Sequence, residues 1–103
     1  MSEHIRLSVA DDHPAFAGHF PGRPIMPGAL LIDLALRAIE EATGRQVASI
    51  AQTKFLSPAV PGDVLSLMFE HNDNGVRFDI ESVTEGATRK LASGRFSLQA
   101  ESP

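Results

Sequence analysis

Between Gly18 and Gly28 the chain packs three prolines (Pro21, Pro24, Pro27) and three glycines (Gly18, Gly22, Gly28) into eleven residues. It then runs straight into Ala-Leu-Leu-Ile-Asp-Leu-Ala-Leu-Arg-Ala, residues 29–38. Proline fixes its own φ and biases the residue before it away from helix, so this loop must follow a stiff, extended path. Pro27 suits the first helical position, where a missing N–H costs nothing, and Gly28 lets another group approach the backbone closely. The pattern predicts a helix from about Pro27 to Thr43, stopped by Gly44 in the left-handed conformation. Its apolar residues fall on every face for about three turns, which is the pattern of a buried helix. Asp33 interrupts that pattern. A carboxylate desolvated without a partner costs several kcal/mol, so its place among Leu30, Leu31, Ile32, Leu34 and Leu36 calls for a reason.

Around this centre the chain alternates. Ile5, Leu7 and Val9 put one apolar face on an opening strand over His4–Val9. After the helix come strand patterns over Val47–Leu56, over Val64–Glu70, on Val76, Phe78 and Ile80, and over Thr88–Leu98. Ser57 to Asp63 is a second proline-rigidified loop, and Asn74-Gly75 is a hairpin signal, so the last three strands should form a meander. One strand, one long helix and four more strands describe an α+β domain whose antiparallel sheet must cover a helix apolar all round. A flat sheet covers one side only, so the sheet should curl around the helix and a second subunit should supply the remaining cover.

The 103 residues make one domain, 1–103, with a loose tail from about residue 100. Such a chain buries roughly 60–70% of its unfolded surface, which leaves little stability to spare. There is no cysteine, so neither a disulfide nor a thiolate nucleophile is available. No signal-like or membrane-spanning apolar run is visible, and a cytoplasmic location is the default expectation. A net charge of −4 and no basic run with interleaved aromatics exclude general nucleic-acid affinity.

His19 lies in the stiff loop and Asp33 on the helix. With a bare, glycine-opened helix start they supply a base, an acid and backbone donors, the parts for proton abstraction beside a carbonyl. Taken singly, His19 reads as a structural histidine and Asp33 as half of an i, i+4 pair with Arg37. His4 and His71 have no such constellation, and His13, although near the loop, reads as structural. The four histidines show no metal-ligand spacing.

Residues 18–28, Gly-His-Phe-Pro-Gly-Arg-Pro-Ile-Met-Pro-Gly, followed by Leu30 and an acid at 33, closely resemble the active-site signature of the 3-hydroxyacyl-acyl-carrier-protein dehydratases. These belong to the FabZ/FabA-like hotdog superfamily. Lys54-Phe55-Leu56-Ser57-Pro58-Ala59-Val60-Pro61-Gly62-Asp63 resembles the same family's downstream strand and loop. The resemblance implies a hotdog fold, a helix wrapped by an antiparallel sheet, in a homodimer with shared active sites that can associate further. It implies removal of water from a 3-hydroxyacyl thioester on acyl carrier protein, in a fatty acid, polyketide or aryl polyene type pathway, without cofactor or metal. In that reading His19 abstracts the proton and Asp33, from the partner subunit, handles the leaving hydroxyl. Gly28, with Phe20 and Pro27, forms the oxyanion and substrate-binding surface, and Arg23 and Lys54 dock the carrier. Arg89, Lys90 and Arg95 are further docking candidates. Arg37 stands where the family usually has Gln, and pairing with Asp33 would oppose service as an acid. A hotdog acyl thioesterase and a non-catalytic acyl-binding or carrier-binding protein are the alternatives.

Overall fold

The computed structural model describes residues 2–7, 28–60, 63–72, 74–84 and 87–100. Its elements are β1 (Ser2–Leu7), α1 (Gly28–Thr43), β2 (Val47–Phe55), β3 (Leu65–His71), β4 (Gly75–Thr84) and β5 (Ala87–Leu98). The five strands form one antiparallel sheet in the order β1-β3-β4-β5-β2. The α+β expectation and the β3-β4-β5 meander are both present. The opening strand starts two residues before the expected His4, at Ser2, and the rest of the expected strand, Ser8 and Val9, lies outside the described residues. The third strand reaches one residue further, to His71.

Alternation explains the core. Leu65, Leu67 and Phe69 of β3 pair with Ser82, Ile80 and Phe78 of β4, and all six are buried. Phe78 stacks on Phe96 of β5 with ring centroids 4.6 Å apart. Onto this surface α1 lays Leu31, Ile32, Ala35 and Ile39. At about 100° per residue these four positions span a single arc of the helix. Leu30, Leu34 and Leu36 are only half-buried, so the chain by itself covers one side of a helix that the sequence makes apolar more widely.

The helix ends as its sequence requires. Gly44 has φ of 70°, and its N–H donates to the Glu40 carbonyl at 2.9 Å. The Thr43 hydroxyl donates to the Ile39 carbonyl at 2.8 Å. The Glu40 carboxylate then accepts the Val47 N–H at 2.9 Å, tying the end of the helix to the start of β2. The hairpin between β3 and β4 is organised by Asn72, whose side-chain oxygen accepts the N–H groups of Asn74 and Gly75. At the sheet's far edge His4 contacts the hydroxyl of Ser66 through its Nε2.

Candidate active site

Gly28 is the first residue of α1, and the first turn of the helix carries no acidic side chain. The opening N–H groups of a helix have no partner within it, and the macrodipole adds positive potential there. Beside this end lies an open cavity of about 500 Å³ lined by Gly28, Ala29, Leu31, Phe55, Leu56, Ser57, Pro58 and Ala59. Its walls are mainly apolar, with Ser57 and the start of the helix as polar features. With no side chain at residue 28, the Phe55 ring packs directly over the start of the helix, and any larger residue would displace that ring. A Cβ there would sit 2.7 Å from Cε1 of Phe55 and 2.9 Å from its Cζ.

Asp33 and Arg37 lie on the helix face opposite the buried arc. The Arg37 Nε donates to Asp33 Oδ2 at 2.9 Å, with the two side chains 76% and 44% exposed. This is the i, i+4 pair that the spacing offered, and it lies at the surface of the chain. The apolar neighbours that suggested burial point toward the sheet or flank the acid, and the acid itself points away. An exposed pair of this kind contributes no more than about 1 kcal/mol.

His19, Phe20, Arg23 and Pro27 fall outside the described residues. Gly28 and Asp33 are therefore the only two of the expected catalytic and substrate-binding residues that the structure positions. Lys54 is exposed on β2 and lines a groove on the outer face of the sheet together with Arg77, Lys90 and Arg95. Arg77 and Arg95 stand directly opposite each other across β4 and β5, and this like-charge pairing is flanked by acids, with Glu70 of β3 opposite Arg77 on its other side and Asp79 also lining the groove. Arg77 was not singled out from the sequence, because only the register brings it to this groove. Arg89 also bonds within the chain: its guanidinium donates to Ser57, to the Pro58 carbonyl and to Asp63. Among the described residues no group of His, Asp and Glu could hold a metal ion, and no helix is long and apolar enough to cross a membrane.

The chain is similar to known proteins along most of its length. The family model for ApeI-like proteins, described as ApeI dehydratase, matches residues 2–95. The 3-hydroxyacyl-[acyl-carrier-protein] dehydratase FabZ of Thermus thermophilus is 33% identical over 108 residues, which cover 92% of this chain and 76% of that protein. FabZ of Chlamydia trachomatis is 39% identical over 74 residues, covering 61% of this chain and 48% of that protein. The chain thus spans only about half the length of some curated relatives it matches. Among solved structures, the dehydratase heterocomplex ApeI:P from Xenorhabdus doucetiae aligns with a TM-score of 0.78 at 26% identity, over 94% of this chain and 86% of that one. The sheet order and central helix are those of the hotdog fold, and with the match over residues 2–95 the chain belongs to the ApeI-like dehydratase family.

Proposed function

We propose that this chain is a dehydratase that removes water from 3-hydroxyacyl thioesters carried on acyl carrier protein, giving trans-2-enoyl thioesters. The observation that carries the reading is the mainly apolar cavity opening at the start of α1, whose first turn carries no acidic side chain. It accepts an acyl chain along Leu31, Phe55 and Pro58 while the thioester oxygen meets the Gly28 N–H. His19 takes a proton from the carbon between the carbonyl and the hydroxyl-bearing carbon. The electron pair forms the new double bond as the C–O bond breaks. The partner's Asp33 supplies the proton with which the hydroxyl leaves as water. Arg37 must release that carboxylate for protonation, and its exposed side chain is free to swing aside.

Dimerisation belongs to the same reading. Among the described residues strand β2 is a sheet edge, paired with β5 alone, and it carries exposed Ile50 with exposed Phe55 and Leu56 at its end. A long edge of this kind is a template for another strand. A second copy on β2 would also cover the half-buried side of α1. Light scattering should give twice the 11.1 kDa chain mass, and Ile50→Glu should shift the species toward monomer. A wild-type monomer would remove the shared-site arrangement.

The outer groove supplies the carrier-docking charge, with Lys54 joined by Lys90, Arg95 and Arg77, and Arg23 on the loop. Lys54→Glu combined with Arg95→Glu should raise KM for a carrier-borne substrate about tenfold more than for a small thiol surrogate. Equal effects on the two substrates would remove the groove from docking.

The deciding assay is the reverse reaction, hydration of a trans-2-enoyl thioester followed by loss of enoyl absorbance. Turnover supports the dehydratase reading. Release of free thiol from acyl thioesters would make the protein a thioesterase, and carrier binding without turnover would make it a binding protein.

A further inference from the structure

One wall of the cavity is a loop with little regular structure, Leu56 through Ala59, and it is held in place from behind. The N–H groups of Leu56 and Ser57 both donate to the Leu91 carbonyl, at 2.8 and 3.2 Å. Arg89, two residues earlier on β5, reaches back across the sheet. Its Nε donates to Ser57 Oγ at 3.0 Å, and its Nη2 donates to the Pro58 carbonyl and to Asp63 Oδ2, each at 3.0 Å. Asp63 closes the other end of the loop. Its Oδ2 also accepts the Val60 N–H at 2.9 Å and its Oδ1 accepts the Ser82 hydroxyl at 2.9 Å. The carboxylate is only 6% exposed, whereas the Arg89 side chain is 45% exposed. Neither Arg89 nor Asp63 lines the cavity.

We infer that Arg89 is a positioning residue that sets the acyl-chain selectivity of this site by fixing the loop wall Leu56–Ala59 through Ser57, Pro58 and Asp63. The guanidinium is suited to this because its planar fork can hold three acceptors in one fixed geometry, which an ammonium on a flexible stem cannot. With the strap intact, the positions of Pro58 and Ala59 are fixed against Leu31, and the room left for the far end of an acyl chain is fixed with them. With it loosened, the reacting end at Gly28 is untouched, since none of the strap's bonds reaches α1. This inference rests on the dehydratase reading for its substrate and on the loop geometry alone for its mechanism.

The test compares wild type, Arg89→Lys and Arg89→Gln on butenoyl and dodecenoyl thioesters. The lysine variant keeps a cation opposite the buried carboxylate, so the fold survives, and the glutamine variant removes the fork while the Val60 N–H and the Ser82 hydroxyl still satisfy that carboxylate. For both variants we expect KM for the dodecenoyl substrate to change about tenfold, with kcat and the butenoyl parameters held within about twofold. A uniform fall on both substrates that tracks a lowered Tm, or no change on either, overturns the inference. Affinity for the apolar fluorophore N-phenyl-1-naphthylamine, which requires no turnover, separates the two claims. If the wild type is inert but Arg89→Lys shifts the fluorophore Kd about tenfold, the strap stands and the reaction falls. If the wild type turns over and neither the Kd nor chain-length preference moves, the reaction stands and the strap falls.

Discussion

His19→Ala and Asp33→Asn are each expected to lower hydration of a trans-2-enoyl thioester about a hundredfold or more, the scale of removing a positioned general base or acid. Asp33 is the more informative of the two because its surroundings are described. It sits on the helix face turned from the sheet, 44% exposed, and its one hydrogen bond among the described residues goes to Arg37. Replacing it with the near-isosteric Asn removes an exposed ion pair, so unfolding free energy should move by no more than about 1 kcal/mol. A large loss of rate at nearly constant stability would assign the carboxylate to chemistry. Arg37→Gln is the companion variant. If Asp33 acts as the acid, removing the guanidinium 2.9 Å away should leave the rate unchanged or raise it. A fall as large as that of Asp33→Asn would instead make the ion pair, and not the acid, the working unit.

The largest effect on stability is expected at Gly94. It lies in β5 between Phe78 of β4 and Thr53 of β2, and the Phe78 ring and the Gln52 backbone crowd it. A Cβ there would meet the Gln52 carbonyl oxygen and stand 2.8 Å from Cζ of Phe78. The first contact is with backbone in the adjacent strand, and the second is with a fully buried ring stacked on Phe96. Neither can move far, so Gly94→Ala should cost about 3 kcal/mol or more, the upper range for forcing atoms into a packed core. Gly75→Ala is the control. Its added carbon would find its nearest neighbour at 3.6 Å, an ordinary contact, and should cost less than about 1 kcal/mol. Chemical denaturation of the two variants beside wild type reads the difference directly, and similar midpoints would refute the crowding at Gly94.

Local signals were the legible ones. Gly44 announced the end of the helix, and the Asn-Gly pair announced the turn that Asn72 organises. The alternation of Val76, Phe78 and Ile80 marked the buried face of β4. Each depends on a few consecutive residues and on backbone preferences that those residues carry with them. What depended on distant pairing was hidden. Nothing around Arg89 indicates that it bonds to a loop thirty-one residues earlier, and Arg77 meets Arg95 only because of the β4-β5 register. Asp33 misled in the other direction. Its apolar neighbours in sequence imply burial, but residues adjacent along a helix point in different directions, and the sheet takes the arc that contains Ile32 and Ala35.

The strand order also divides the chain's labour. The interior of the sheet is the continuous stretch β3-β4-β5, whereas both edges, and the helix between them, come from residues before Leu56. The helix start, Asp33, and the cavity wall through Ala59 therefore lie ahead of the first interior strand. Leu31 and Ala59 belong both to the cavity wall and to the core, but Phe55, Leu56 and Pro58 are exposed and belong to the wall alone. Substitutions at those three can reshape the pocket while the Phe69, Phe78 and Phe96 packing stays in place, so a small domain of this kind can alter its pocket without first acquiring a new core.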